Sequence, residues 1–155
     1  MAKIKLMLAD NHVMVREGLK TLMEKEPDIK VAAEAGDGVE MLEKVKDIKP
    51  DVVLMDISMP NLSGIDSVRK IKDASEKTEA VILTMYQKRG YIREALHAGA
   101  MGYLLKTSPF EEVLGAVRSA SNRKYFLSAE INADIIHNYL QKDSVEPFLS
   151  KYDTL

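Results

Sequence analysis

DVVLMDISMPNLSG, residues 51–64, is the stretch around which the rest of the chain is arranged. Its first part, Val52–Met55, is an unbroken apolar run of strand length, and Asp56 follows it directly. Residues 59–61 and Gly64 are typical of a turn, after which apolar residues recur at helical spacing. A carboxylate at the end of a buried strand is a candidate for chemistry, and a helix or turn cap is the alternative interpretation of Asp56.

The same alternation of strand and helix runs through most of the chain. Four further apolar runs predict strands at residues 4–9, 29–35, 80–85 and 101–105, and an amphipathic segment that predicts a helix follows each of the five strands. Short connections between alternating strands and helices are typical of a parallel sheet covered by helices on both faces. Because crossovers between parallel strands are right-handed, the pattern favours a doubly wound α/β fold.

The pattern changes after Ser121. Residues 124–127 are brief and apolar, and Ser128 opens a sixth amphipathic segment that carries Ile131, Ile135 and Leu140. Residues 142–155 form a polar tail that is too short for a domain and is typical of a linker or a frayed terminus. We therefore expect one domain over residues 1–121, and a C-terminal helix and linker over residues 122–155.

Composition restricts the class of protein. The 155 residues include 22 basic and 24 acidic ones, a formal net charge of −2, without a basic arm or stripe suited to nucleic acid. The absence of cysteine excludes disulfide frameworks and zinc sites built from thiolates. No apolar segment has the length of a membrane span. We expect a cytoplasmic protein without a membrane partner.

Polar side chains stand at the ends of four of the predicted strands. Asp10 and Asn11 follow the first strand, Asp56 follows the third, Thr84 lies at the end of the fourth, and Lys106 follows the fifth. Ligands of doubly wound sheets gather at the carboxyl ends of the strands, so we expect these side chains to lie close together. Taken singly, each has an ordinary explanation as a helix cap, a strand residue or a surface lysine. Five complementary groups at four strand ends favour a shared site.

This set of groups suits phosphoryl transfer to a carboxylate. Clustered oxygen ligands favour a hard cation such as Mg²⁺, and a carboxylate can attack phosphorus to form an aspartyl phosphate. A metal ion, an ammonium and a hydroxyl stabilise the charge on the oxygens of the transferred group. The sequence predicts Asp56 as the nucleophile, Asp10 and Asn11 beside the metal, and Thr84 and Lys106 on the phosphoryl oxygens.

Four motifs carry a resemblance to a known family: LADNH at residues 8–12, VLMDISMP at 53–60, ILT at 82–84 and GYLLK at 102–106. With them, the chain from about Lys3 to Ser121 resembles the receiver domain of two-component response regulators, the CheY-like fold. Two further segments, at residues 15–19 and 98–106, are similar to the NarL/FixJ subfamily, whose members are LuxR-type transcription regulators. The resemblance implies a flavodoxin-like, five-stranded sheet of order 2-1-3-4-5, here with an extra C-terminal helix.

The resemblance also implies what the site residues do. Asp56 would accept a phosphoryl group from a sensor histidine kinase or from a small phosphodonor such as acetyl phosphate. Mg²⁺ would be held by Asp56, by Asp10 and Asn11, and by the backbone carbonyl of Ser58.

The switch that follows phosphorylation is likewise implied by the resemblance. Lys106 would pair with the phosphoryl group, Thr84 would move to hydrogen-bond it, and Tyr103 would turn from an outward to an inward position. The readout would be the surface of the fourth helix, fifth strand and fifth helix. A rim tyrosine that does not switch is the alternative interpretation of Tyr103.

The family further implies how the signal leaves the domain. Phosphorylation would promote a homodimer, and DNA would be contacted only through a C-terminal helix-turn-helix domain that is absent from these residues. We expect the chain to be the regulatory part of a longer transcription regulator. The alternative is a stand-alone or phosphorylation-independent receiver that acts through protein partners.

Three positions depart from the family pattern. Asn11 stands where the family most often has a second acid, so metal affinity or phosphorylation itself is expected to be weaker. Thr107 stands where many receivers have proline after a cis bond, and we expect a cis Lys106–Thr107 peptide at a cost of about 2.5–4 kcal/mol. Tyr86, two residues after Thr84, is bulky enough to hinder a hydrolytic water, which predicts a long-lived phosphorylated form.

Two other functions share parts of this pattern. A phosphatase of the haloacid-dehalogenase type also uses an aspartate at a strand end, with a threonine and a lysine. Such an enzyme needs a second acid two residues after the nucleophile, where this chain has Ser58. A flavodoxin-like electron carrier needs a phosphate loop rich in serine and threonine after the first strand, and the sequence lacks one. We therefore expect a signalling domain and not an enzyme.

Overall fold

The computed structural model describes residues 3–60, 64–85 and 89–141, and in them the apolar runs lie side by side as parallel strands. The strands are β1 (Ile4–Ala9), β2 (Ile29–Ala35), β3 (Val52–Met55), β4 (Glu79–Thr84), β5 (Gly102–Leu105) and β6 (Phe126–Leu127). The helices are α1 (Val13–Glu24), α2 (Gly38–Ile48), α3 (Gly64–Ala74), α4 (Arg89–Ala98), α5 (Phe110–Ser121) and α6 (Ala129–Gln141). Their sheet order is β2-β1-β3-β4-β5-β6, so the predicted α/β class, parallel pairing and order of the first five strands are confirmed.

Alternate residues of each central strand face opposite layers of helices. In β3, Val53 and Met55 lie in the core beneath α2, α3 and α4, whereas Val52 and Leu54 lie in the core beneath α1 and α5. This division follows from the two-residue repeat of a strand, and it explains why β3 is apolar throughout. The chain winds to one side from β1 to β2 and to the other from β3 to β5, so the strand order reverses between β1 and β3.

The expected count of five strands was wrong, because β6 adds a sixth. Its residues Phe126 and Leu127 pair in parallel with Gly102 and Tyr103 of β5. The side chain of Phe126 packs so closely on α5 that a Cβ atom at Gly115 would lie 3.1 Å from its Cε2 atom. Two residues are too few to show a strand repeat, and the pairing depends on the space that a distant glycine leaves.

The chain after β6 continues onto the same body. The backbone N–H of Ser128 donates to the carbonyl of Tyr103 over 3.2 Å, and Ile131 of α6 is fully buried in the core beneath α2, α3 and α4. The far end of α6 is different, since Leu140 is 73% exposed. The predicted C-terminal helix is confirmed, while the domain division at residue 121 stays a prediction. The tail at residues 142–155 lies outside the described residues.

Among the residues that the structure describes, no helix combines the length and the apolar character needed to cross a membrane.

Candidate functional site

Two neighbouring strands deliver two buried carboxylates to one edge of the sheet. Ala9 of β1 is in register with Met55 of β3, so the residues that follow them, Asp10 and Asp56, lie side by side. The backbone N–H of Asp56 donates to the carbonyl of Ala9 over 2.9 Å, which extends the strand pairing by one residue. Asp10 is 5% exposed and Asp56 is 2% exposed. Both acids flank the point at which the strand order reverses, where ligands of such sheets bind.

The next two strands bring Lys106 to the same edge. Thr84 ends β4 in register with Leu105 of β5, and the backbone N–H of Lys106 donates to the Thr84 carbonyl over 2.7 Å. From there the ammonium of Lys106 reaches Asp10 Oδ2 at 2.8 Å and Asp56 Oδ2 at 2.7 Å. The structure therefore places three of the predicted site residues in direct contact. Thr84 is fully buried at the adjacent strand end.

Ser58 fixes the other oxygen of Asp56. Its backbone N–H and its hydroxyl both donate to Asp56 Oδ1, over 3.0 and 2.7 Å. Both oxygens of this carboxylate are thus held by donors, so its plane cannot rotate freely. The role of the Ser58 carbonyl as a metal ligand stays a prediction.

Opposing effects set the pKa values of the central ion pair. Burial raises the pKa of the Asp56 carboxyl. The hydrogen bonds from Lys106 and Ser58, together with the charge of Lys106, lower it by a larger amount, so the net pKa is below the ordinary value. Burial lowers the pKa of Lys106, and its bonds to Asp10 and Asp56 outweigh that effect, so its pKa is raised. Asp56 and Lys106 are therefore ionised at neutral pH.

His12 also belongs to this cluster, and its sequence pattern alone did not predict a role for it. Its backbone N–H donates to Asp10 Oδ1 over 2.8 Å, and its Nδ1 atom lies 3.0 Å from the same oxygen. Nδ1 also lies 3.3 Å from Lys106 Nζ and 3.9 Å from Asp56 Oδ2. The signal in the sequence is the spacing, because an aspartate commonly bonds the backbone N–H two residues further on. Asn11, which lies between Asp10 and His12 in the sequence, is exposed, and its role as a metal ligand stays a prediction.

Arg16 anchors the loop that carries these residues. Its Nη1 atom donates to the backbone carbonyl of Asp10 over 2.5 Å, and its Nε atom donates to Glu34 Oε1 over 3.1 Å. Glu34 belongs to β2, so Arg16 ties the start of α1 to the edge of the sheet. The sequence pattern did not predict this contact either, because it shows residue 16 only as a charged position of a helix.

The cluster offers donors that a divalent cation can bind. Ligand atoms of Asp10, His12 and Asp56 lie within 4.8 Å of one another. Two carboxylates against one ammonium leave an excess of negative charge, and Mg²⁺ commonly binds through one or two carboxylates with water and phosphate. The residues present therefore fit a magnesium ion at this edge of the sheet.

Tyr103 lies in the inward position. It is fully buried, in the core beneath α2, α3 and α4. Burial, and then the nearby Tyr91 and Asp56, raise the pKa of its phenol to about 12, so it stays protonated. The outward position and the movement between the two stay predictions.

The expected cis bond between Lys106 and Thr107 was wrong, because the described residues contain no cis peptide. A turn with trans bonds suffices, since the backbone N–H of Ser108 donates to the Leu105 carbonyl over 2.9 Å while Lys106 still reaches both carboxylates. A cis bond before threonine would cost about 2.5–4 kcal/mol, and the trans turn avoids that cost. Tyr86, the residue expected to hinder hydrolysis, lies outside the described residues.

Known proteins are similar to this chain in sequence. Residues 6–118 match the response regulator receiver domain family. The chain is 40% identical over 134 residues to the uncharacterized transcriptional regulatory protein YxjL of Bacillus subtilis, covering 86% of the chain and 62% of that protein. It is 35% identical over 142 residues to the oxygen regulatory protein NreC of Staphylococcus aureus, covering 91% of the chain and 65% of that protein.

A solved structure shares the fold over its whole length. It is a two-component response regulator of the LuxR family from Aurantimonas sp. SI85-9A1, with a TM-score of 0.85 and 31% sequence identity, and the match covers 90% of this chain and 100% of that one. The chain thus spans less than two thirds of the length of the two curated relatives it matches.

Proposed function

The chain belongs to the response regulator receiver domain family, in its LuxR/NarL branch, and on that premise we propose that Asp56 accepts a phosphoryl group from a sensor histidine kinase. A receiver is a signalling domain and not a catalytic enzyme. The observation that carries the proposal is the ammonium of Lys106, which lies on both Asp10 and Asp56 at 2.8 and 2.7 Å. A buried ammonium beside two buried carboxylates can stabilise the negative charge of a phosphoryl group that is transferred to one of them.

The transfer uses contacts that are already in place. An oxygen of Asp56 attacks phosphorus, the new O–P bond forms as the N–P bond of the kinase phosphohistidine breaks, and the leaving imidazole takes a proton from solvent. The two donors of Ser58 hold the carboxylate in one orientation during the attack. Lys106 exchanges its bond to Asp56 for one to a phosphoryl oxygen, and the hydroxyl of Thr84 donates to another.

Asp10 and Asp56, together with Asn11 and the Ser58 carbonyl, would hold Mg²⁺. When bound, Mg²⁺ neutralises charge on the oxygens of the transferred group. Because Asn11 is uncharged, the set has one negative charge fewer than a site with a second acid. We expect weaker Mg²⁺ binding than an Asn11→Asp variant shows.

Mass spectrometry after incubation with acetyl phosphate and MgCl₂ tests the proposal directly. The chain is expected to gain the mass of one phosphoryl group, and Asp56→Asn is expected to gain none. Asp51→Asn is the matched control, because Asp51 precedes the opposite end of the same strand β3. It is expected to be phosphorylated as the unchanged chain is. An unchanged mass for the native chain, or equal labelling of Asp56→Asn, contradicts the proposal and leaves a phosphorylation-independent receiver.

The signal is proposed to reach DNA through residues beyond this chain. Its curated relatives include a transcriptional regulatory protein, and the chain spans 62% of that relative. We propose that residues 1–121 are the receiver, that residues 122–155 lead to a helix-turn-helix domain, and that the protein works in the cytoplasm. The surface of α4, β5 and α5 would form a homodimer on phosphorylation. Sedimentation of the chain before and after acetyl phosphate treatment checks this, and a monomer in both states contradicts it.

The phosphatase alternative lacks its general acid. Two residues after Asp56 stands Ser58, and its hydroxyl donates to Asp56 Oδ1. A hydroxyl with an ordinary alcohol pKa is far less able than a carboxylic acid to protonate a leaving alcohol.

A further inference from the structure

The proposed phosphoryl transfer leaves His12 without a role, yet the structure sets it inside the cluster. The Lys106 ammonium lies close to three polar atoms: Asp10 Oδ2 at 2.8 Å, Asp56 Oδ2 at 2.7 Å and His12 Nδ1 at 3.3 Å. A cation is therefore already seated on two carboxylates and one imidazole. This is a mixed set of oxygen and nitrogen donors, unlike a set of oxygens alone.

Neither tautomer of His12 satisfies both of its close neighbours. If Nδ1 carries the proton, it donates to Asp10 Oδ1 at 3.0 Å but turns an N–H towards the Lys106 ammonium. If Nδ1 is bare, it accepts from Lys106, but its lone pair faces the Asp10 oxygen. A metal ion bound by both Nδ1 and the Asp10 carboxylate removes this conflict once the Lys106 ammonium moves away from Nδ1, because each lone pair then points at the metal ion.

The distances suit ligands of one ion. Bonds from nitrogen and oxygen to a small divalent cation are about 2.1 Å, so neighbouring ligands in an octahedron lie about 3.0 Å apart and opposite ones about 4.2 Å. His12 Nδ1 lies 3.0 Å from Asp10 Oδ1 and 3.9 Å from Asp56 Oδ2. Both His12 separations fall within this range, and the full set of three side chains spans up to 4.8 Å, so a side-chain adjustment of a few tenths of an ångström would bring all three onto one ion.

We propose that His12 Nδ1 is a ligand of the divalent cation held by Asp10 and Asp56, and that the site thereby selects a first-row transition metal ion over Mg²⁺. Imidazole binds such ions well, whereas Mg²⁺ prefers oxygen and retains its water. Asn11 acts in the same direction, since an amide in place of a carboxylate weakens the attraction for a hard cation. The proposal rests on the cation site of the proposed function and adds a ligand and a selectivity to it.

Calorimetric titration of the 155-residue chain with Co²⁺ and with Mg²⁺ tests the selectivity, comparing the unchanged chain with His12→Gln. Loss of residues that only position a metal ligand already costs 10–100-fold in affinity, so His12→Gln is expected to weaken Co²⁺ binding by at least about tenfold. Mg²⁺ affinity is expected to change by less than about twofold, because glutamine removes a nitrogen that Mg²⁺ does not prefer. His97→Gln is the matched control, since the chain has three histidines and His97 is exposed on α4.

Proton NMR of the Co²⁺-loaded chain identifies the ligand itself. Coordination by Nδ1 leaves the Nε2 proton on the ring, and paramagnetic Co²⁺ is expected to move that exchangeable signal far outside the ordinary range. The signal should be present in the unchanged chain and in His97→Gln, and absent in His12→Gln. Equal Co²⁺ affinity in the unchanged chain and His12→Gln, or a shifted signal that His12→Gln retains, overturns the proposal.

The experiments can contradict the phosphorylation of Asp56 and the metal ligation by His12 independently of each other. Phosphorylation of Asp56 in Mg²⁺ without a His12 effect on Co²⁺ binding removes only the added ligand. A Co²⁺ signal from His12 without any phosphorylation removes only the phosphoacceptor function. His12 is 58% exposed at its side chain, so His12→Gln is expected to keep the fold, which circular dichroism checks.

Discussion

Replacement of Lys106 by methionine is the sharpest perturbation of the site, because it keeps most of the side-chain length and removes the charge. The ammonium is 8% exposed at its side chain and joins two carboxylates that are 7% and 1% exposed. In Lys106→Met those two acids face each other without a counter-charge. We expect the stability of the fold to become strongly dependent on pH.

The size of the loss follows from two estimates. Each ion pair is worth about 6 kcal/mol at an effective dielectric constant of about 20, and the cost of desolvating the ammonium offsets part of that, which leaves about 3–5 kcal/mol for removal of one buried partner. In the variant, one of the two carboxyls can take up a proton, which removes the repulsion between them. From an ordinary pKa near 3.9 this costs about 4 kcal/mol at pH 7 and about 1.5 kcal/mol at pH 5. The expected loss is therefore about 4 kcal/mol at pH 7 and about 1.5 kcal/mol at pH 5.

The unchanged chain is expected to behave differently over the same range. The pKa of Asp56 is lowered by folding, so its contribution to stability is present above the unfolded pKa and is lost as pH falls through the folded value. The pKa of Lys106 is raised, and its contribution is lost only as pH rises through that higher value. Neither of these pH ranges includes pH 5 to 7. Asp56 and Lys106 are therefore expected to cause no change in the stability of the native chain between pH 5 and pH 7.

Urea unfolding followed by circular dichroism measures the difference, since the chain has no tryptophan for fluorescence. With a urea dependence of about 1–3 kcal/mol per molar, a loss of 4 kcal/mol lowers the midpoint by about 2 M. Lys77→Met is the control: its Nζ atom lies 3.0 Å from Asp51, but their side chains are 48% and 34% exposed, so the change should stay below about 1 kcal/mol. Equal midpoints for Lys106→Met and the native chain, or a loss that is the same at pH 5 and pH 7, would refute the reasoning.

Three smaller predictions follow from other contacts. Tyr103 has an unfolded pKa near 10 and a folded pKa of about 12, so its own contribution to native stability should stay level below pH 10 and fall by roughly 3 kcal/mol towards pH 12; over that range the urea midpoint of the native chain should fall more steeply than that of Tyr103→Phe, which retains only the loss from groups such as Lys106. Ser58→Ala removes one donor from Asp56 Oδ1, so carbon-detected NMR titration should find the pKa of Asp56 raised relative to the native chain, and unfolding should find a loss of about 1 kcal/mol. Arg118 donates from Nε and Nη2 to Asp28 over 2.9 Å each, and because it is 41% exposed, Arg118→Ala should lower stability by no more than about 1 kcal/mol, a difference that should shrink at 1 M salt in the same assay.

The first five strands could be predicted because their apolar runs are set by the sheet itself. β3 is buried on both faces, so every residue from Val52 to Met55 is apolar, and the acid that follows marks the strand end. Parallel pairing then brings strand ends together whatever the intervening helices contain. For that reason Asp10, Asp56 and Lys106 could be assigned to one edge before any distance was known.

The sixth strand and the position of His12 depend on the room between packed elements and on the reach of individual side chains. The order of apolar and polar residues along the sequence does not show either. Phe126 of β6 packs closely against Gly102 and Gly115, where a larger residue would leave less room, and the two glycines stand 13 positions apart in the sequence. His12 joins the cluster because its Nδ1 atom folds back onto the side chain of Asp10, a contact within the loop that periodicity cannot reveal. The peptide after Lys106 was assigned by analogy with proline-containing receivers, and threonine removes the chemical reason for a cis bond.

The pairing of β6 with β5 also has a mechanical consequence. Tyr103 lies opposite Leu127, and its carbonyl accepts the backbone N–H of Ser128, the residue just before α6. α6 has 13 residues and is therefore a rod of about 20 Å, so a tilt of about 10° at its base moves the tip by about 3.5 Å. A backbone shift at Tyr103 that tilted α6 about its base would therefore be amplified several-fold at the far end of the helix.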